Sequence, residues 1–279
     1  MTEKKKILPA IVMSYLLCFL FRLFEYFVLR TDQTVLGEAF VHKLIGIAIL
    51  IIAIRILGFK FNEVGFVKEK AVIHLLKGLG FGVFIFAIAY AVEIFISVSQ
   101  GNFQGVELYV SAYAVDGNIG NQTAFIFFLI CIAGNIINVV MEEGIFRGLF
   151  RKILEKRYSF IFSAVIASSL FGVWHVVAPV RNYYDGTMSL GGCIANIIML
   201  VVTSTLVGFK FAMLTKMTGS LYMAMGDHFV NNTIVNMLHV VSSTGADGMM
   251  VVRIAIAQSV SFVLVLVYYI VSVKKAAKL

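Results

Sequence analysis

Charge is what this sequence has least of. Charged residues fill 14% of its 279 positions, against about a quarter in an ordinary soluble domain. With 60% hydrophobic residues and a mean hydropathy of +0.95, that scarcity excludes a water-soluble globular protein and leaves no length for a large soluble domain. The whole chain, 1–279, reads as one membrane domain. Also missing is any Cys-x-x-Cys pair. Cys18, Cys131 and Cys193 are odd in number and lie inside apolar runs, which excludes a disulfide framework and a thiolate metal site and leaves packing roles. The His-Glu-x-x-His sequence of one class of zinc proteases does not occur, and neither strand-like alternation nor an internal repeat stands out. The formal charge of +8 sits in short basic clusters between apolar runs. Membrane topology and anionic headgroups account for it there, so nucleic acid is excluded as a partner and membrane lipid is expected as one.

Eight apolar segments of spanning length are present, at about 7–29, 39–57, 75–97, 123–146, 159–179, 188–209, 219–240 and 251–273. They predict an all-α polytopic membrane protein with about eight transmembrane helices enclosing a polar cavity. Placing Lys4, Lys5 and Lys6 inside makes alternation put 18 of the 23 basic residues on the cytoplasmic side, among them Arg151, Lys152, Lys156, Arg157 and Lys210. That bias predicts an integral protein of the cell membrane with both termini cytoplasmic. The first apolar run is too long for a signal peptide and lacks a small-residue cleavage site, so it is read as a retained helix.

Ionisable groups at bilayer depth are costly, and each is a functional candidate by default. Arg22 and Glu25, three residues apart, are expected to pair with each other or to snorkel outward. His42 and Glu93 sit near span ends and are assigned no chemistry. Gly78-Leu-Gly-Phe-Gly82 has no strand before it and is read as small-residue helix packing rather than a nucleotide fingerprint. The fourth helix is different. Asn135, Asn138 and Glu142 recur at i, i+3 and i+7 as one polar stripe, while Glu143 turns about 100° away and lies one turn from Arg147. Glu143 is therefore placed to pair with Arg147, leaving Glu142 without a local cation, as a general base would be.

The fifth helix carries Phe171-Gly-Val-Trp-His175, and the seventh carries His228 and Asn232 at i and i+4, with Asn236 and His239 extending the stripe. An antiparallel hairpin turning near Tyr158 would bring Glu142 and His175 to the same depth, about 24 Å from the turn, with the basic segment from Arg147 protruding as helix to roughly Glu155. The seventh helix would bring His228 in from the same side. Pro179 cannot accommodate the carbonyl four residues back, that of His175, so the helix is expected to be disturbed there.

Glu142-Glu143-x-x-x-Arg147, Phe171-x-x-x-His175 and His228-x-x-x-Asn232, in this order on separate membrane helices, resemble the motifs of the CPBP (Abi) family of intramembrane proteases, which includes CAAX prenyl endopeptidases and bacterial relatives linked to bacteriocin immunity. The resemblance implies a catalytic core over about 123–240 and an endopeptidase acting on a membrane-associated or prenylated protein or peptide. It implies that Glu142 and His175 activate a water, that His228 and Asn232 stabilise the oxyanion, and that Glu143 and Arg147 support them. Cofactor use stays open: a reaction without a metal is favoured, with Glu142, His175 and His228 as candidate ligands if zinc is the cofactor. An aspartyl protease is disfavoured because Ala224 replaces the first glycine of a Gly-x-Gly-Asp motif ending at Asp227, and Asp185 falls in an outer loop. The non-enzyme alternatives are a non-catalytic immunity protein and a transporter, although no repeated half supports the latter.

Overall fold

The structure is a computed structural model that describes residues 7–34, 40–112 and 119–276. Helix α1 (Ile7–Phe24) runs on through a π-helical turn (Glu25–Leu29), followed by α2 (Val41–Ile56) and α3 (Ala71–Ser99). Helix α4 (Phe125–Glu142) continues without a break as π-helical Glu143–Phe150 and α-helical Arg151–Glu155. After it come α5 (Phe160–Trp174), α6 (Val177–Tyr184), α7 (Leu190–Thr218), α8 (Tyr222–Met237) and α9 (Met250–Ala276). Strands β1 (Phe103–Leu108), β2 (Leu238–Ser242) and β3 (Gly245–Ala246) form a small antiparallel sheet.

The protein is an all-α polytopic membrane protein. Among the described residues six helical stretches are long and apolar enough to cross a bilayer: Leu8–Leu29, Lys68–Ser99, Phe125–Glu155, Phe160–Tyr184, Leu190–Thr218 and Met250–Lys275. The other two expected spans fold as α2 and α8, 16 residues each. At about 1.5 Å per residue they reach about 24 Å, short of the ~30 Å hydrocarbon core. Among the described residues six helices, not eight, therefore meet spanning length and apolarity; α2 is packed on α1 and α4, and α8 on α3, α4 and α7. Polarity is arranged for a lipid solvent: on α3, Glu93 is 2% exposed while Phe95, two residues on, is 73% exposed.

Small residues bring α3 and α8 together. A Cβ on Gly226 would lie 2.6 Å from the Leu75 carbonyl oxygen, one on Gly82 would lie 2.8 Å from Val230 Cβ, and one on Gly78 would overlap the Met223 carbonyl. The reading of Gly78 and Gly82 as packing residues holds.

The hairpin forms as expected. The helical stretch that continues α4 ends at Glu155, and Ser159 caps α5 by accepting from the Phe162 N–H (3.4 Å). The basic segment does not protrude, however. Arg147 and Arg151 are buried, and Leu149, Phe150, Ile153 and Leu154 join the largest apolar core with residues of α1 and α2. The apolar positions within 145–154 outweigh its arginines. Lys210, expected on a cytoplasmic flank, is buried within α7, which runs on to Thr218. Lys4, Lys5 and Lys6 lie outside the described residues.

The sheet departs from the expectation of helices and loops alone. α8 stops at Met237, so His239 lies on β2 and not on the helical stripe. It is fully buried, stacked on Tyr109 with ring centroids 3.8 Å apart.

Candidate active site

The polar stripe of α4 meets α5 and α8 in the interior. Trp174 Nε1 donates to Glu142 Oε1 (3.1 Å), Asn138 Nδ2 donates to Oε2 (3.4 Å), and His228 Nε2 stands 3.7 Å from Oε2. Asn135, on the same stripe, turns back to the Cys131 carbonyl (3.0 Å). Glu142 is 4% exposed.

Glu143 lies on the other side of His228. Its Oε1 accepts from His228 Nδ1 (2.8 Å) and pairs with Arg147 Nη1 (3.3 Å), one turn along as the spacing predicted. The Arg147 guanidinium lies 3.8 Å over the Phe171 ring, and its Nε donates to the Gly208 carbonyl (3.3 Å). Gly208 is small for a reason: a Cβ there would lie 2.9 Å from Arg147 Nη2. Phe211 stacks on the His228 ring at 4.9 Å, completing its cage.

The break at Pro179 falls where the sequence placed it, between α5 and α6. The last turn of α5 tightens, so that the His175 N–H donates to the Gly172 carbonyl (3.1 Å) instead of to that of Phe171. The freed Phe171 carbonyl accepts from His175 Nδ1 (2.8 Å). That bond fixes the ring and leaves Nε2 with its lone pair. Asn232, half-buried one turn beyond His228, accepts on Oδ1 from Asn231 Nδ2 (3.0 Å).

Several participants were not found from the sequence. Trp174 was passed over beside His175, although a buried indole N–H needs an acceptor. Arg22 neither pairs with Glu25 nor snorkels. Its guanidinium lies 4.6 Å over the Trp174 ring and contacts His42 Nε2 at 3.3 Å. Glu25 instead accepts from the N–H groups of Val41 (2.7 Å) and His42 (2.5 Å) at the start of α2, and from His42 Nδ1 (2.7 Å). A carboxylate at a helix N-terminus is favourably placed. Glu93 pairs with the fully buried Arg253 (2.8 Å). The two aspartates of the rival reading are each neutralised by a different cation, Asp185 by Arg30 (2.7 Å) and Asp227 by Lys210 (2.8 Å).

For a metal, the donor chemistry of Glu142, His175 and His228 is suitable, and both imidazoles have Nδ1 held by an acceptor, as metal-ligating histidines do. Yet among the described residues no three His, Cys, Asp or Glu side chains are gathered to hold an ion. The preformed contacts favour hydrogen bonding around Glu142.

Fold and site together define a polytopic helical membrane protein with a buried carboxylate and imidazole centre. Residues 123–234 match the family model described as type II CAAX prenyl endopeptidase, Rce1-like. The match falls on the residues that carry the three motifs and supports their resemblance to the CAAX-type membrane proteases. No curated protein and no solved structure matches the chain.

Proposed function

We propose that the protein is an intramembrane endopeptidase that hydrolyses a peptide bond in a membrane-associated or prenylated substrate, with Glu142 as the general base. The observation that supports this most is the surroundings of Glu142. It is a buried carboxylate inside the family-matched segment, oriented by the N–H groups of Trp174 and Asn138 and facing an imidazole.

In this reading Glu142 takes a proton from a water that His175 Nε2 orients by accepting its other hydrogen. The water oxygen bonds to the scissile carbonyl carbon, and the carbonyl electron pair becomes an oxyanion. Asn232 Nδ2 and His228 Nε2 donate to that oxyanion. The intermediate collapses, the C–N bond breaks, and the proton on Glu142 passes to the departing amine. Because His228 commits Nδ1 to Glu143, it can donate from Nε2 only as an imidazolium, and Glu142 and Glu143 on either side supply the counter-charge. Glu143 and Arg147 support the site without touching substrate. Orientation in the cell membrane with both termini cytoplasmic belongs to the same proposal.

The test is cleavage of a farnesylated C-terminal CAAX peptide and of its unprenylated form by purified protein in lipid vesicles, with Glu142→Gln alongside. Cleavage by the wild type and none by the variant is expected. Equal cleavage by both would remove Glu142 as the base. Folded wild-type protein that cleaves neither peptide would count against this substrate class.

A further inference from the structure

Lys210 is 1% exposed, and its ammonium faces three oxygens: Asp227 Oδ2 at 2.8 Å, Ser261 Oγ at 3.1 Å and Gln258 Oε1 at 3.3 Å. The contacts continue from Gln258. Its Nε2 donates to Asn231 Oδ1 (2.6 Å), and Asn231 Nδ2 donates to Asn232 Oδ1 (3.0 Å).

A side-chain amide is nearly symmetric in shape, and its partners decide which end it turns to a neighbour. An ammonium has donors only. Lys210 therefore obliges Gln258 to present oxygen, which turns Nε2 toward Asn231, which presents its own oxygen and turns Nδ2 toward Asn232. The polarity set at Lys210 arrives at Asn232 with Oδ1 occupied and Nδ2 left over as a donor. Gln258 lies on α9, outside the family-matched residues 123–234.

We propose that Lys210 and Gln258 are positioning residues for the reaction, acting through Asn231 to hold the Asn232 amide with its N–H donor toward the oxyanion. This rests on the oxyanion role of Asn232 proposed above. Asp227 keeps the buried lysine paired, and the last helix thereby supplies part of the site's polarity.

The experiment reverses that polarity. Gln258→Glu has oxygen at both ends, so it still accepts from Lys210 but must also accept from Asn231. The Asn231 amide turns over, and the Asn232 amide follows, with oxygen aimed at the oxyanion. Gln258→Met only interrupts the chain. With the farnesylated CAAX peptide as probe, kcat should fall about 100-fold for Gln258→Glu and about tenfold for Gln258→Met, with KM within about twofold, on the scale of losing an oxyanion donor. In an Asn232→Ala background neither change should slow the reaction further. An Asn232→Ala protein with undiminished kcat would overturn the underlying role of Asn232. A slow Asn232→Ala protein together with a wild-type rate for Gln258→Glu, or equal harm from Gln258→Glu in both backgrounds, would overturn the positioning. A readout independent of turnover is the side-chain amide resonance of protein labelled with 15N-asparagine in nanodiscs, assigned by its loss in Asn232→Ala. Gln258→Glu should move it, and an unmoved resonance in folded protein would sink the inference.

Discussion

Glu143 Oε1 lies 2.8 Å from Nδ1 of His228, a residue 85 positions further along the chain. The same oxygen holds Arg147, so one carboxylate joins the cation of its own helix to the imidazole of another. Arg147→Ala would leave Glu143 buried opposite His228 without its cation, a loss on the order of 3–5 kcal/mol. Lower yield and a lower Tm in detergent are expected. Arg147→Lys should recover only part of the loss, because a lysine has no planar face for Phe171 and no Nε–H for the Gly208 carbonyl. Full recovery in thermal melts by the lysine variant would contradict this account.

Trp174→Phe keeps the ring packing and deletes the N–H that holds Glu142 Oε1. A hydrogen bond to a charged group contributes about 1.5–3 kcal/mol, so peptide cleavage should slow by roughly ten- to a hundredfold, and Tm should fall as well because Glu142 Oε1 is left buried without its donor. A variant as fast as the wild type would show that the indole does not orient the base.

The preformed contacts around Glu142 predict that activity survives zinc removal. Elemental analysis of active enzyme, with chelation and metal add-back, is the measurement. Stoichiometric zinc whose removal stops cleavage and whose return restores it would make Glu142, His175 and His228 ligands instead.

Asp247, between β3 and α9, lies outside the spanning stretches. Burial pushes its carboxyl up, but hydrogen bonds from His239 Nδ1 (2.5 Å) and an Arg253 Nη2 (2.8 Å), with their charges, more than offset this and hold it below its ordinary value. Its stabilisation is therefore present above the unfolded value of about 3.9 and is lost as pH falls through the depressed folded one. Asp247→Asn is a clean probe, because asparagine tolerates the left-handed backbone (φ 59°) at this position. The variant should melt lower than the wild type near neutral pH, and the two curves should converge in acid. A gap that stays constant with pH would refute the linkage.

Cysteine placed at the exposed Lys156 or Arg157 should be labelled by an impermeant thiol reagent only after the membrane is opened, if the positive-inside reading of the α4–α5 turn is right. Labelling in intact cells would invert the topology.

What could be read in the sequence was what depends on near neighbours. Glu143 and Arg147 are one turn apart, and Pro179 acts four residues back, so both effects appeared where local geometry put them. The bond from Glu143 to His228 joins positions with no fixed spacing, and only tertiary packing creates it. Lys210 is ambiguous in sequence because the same charge serves as a topogenic flank or as a buried partner, and the difference lies in Asp227, Gln258 and Ser261 on other helices. The sheet escaped notice because β1 and β2 are short and separated by more than a hundred residues, too brief for alternation to show. Rise per residue is fixed by backbone geometry, so the meeting of Glu142 with the end of α5, at Trp174, follows the hairpin register, whereas local spacing says nothing of the cover that α1 and α2 give the segment beyond Arg147.

Strand β2 begins at the residue after α8 ends, and its pairing sets Glu107 opposite His239 and Leu108 opposite Leu238. Side chains on a strand alternate sides, so a slip of one position would swing His239 off Tyr109 and out of its pocket. The loop that carries β1 thus works as a ruler for the helix it joins through the sheet. By fixing where α8 may stop, it sets how deep His228 and Asn232 hang, much as a plumb line is set by the length of cord paid out at the top.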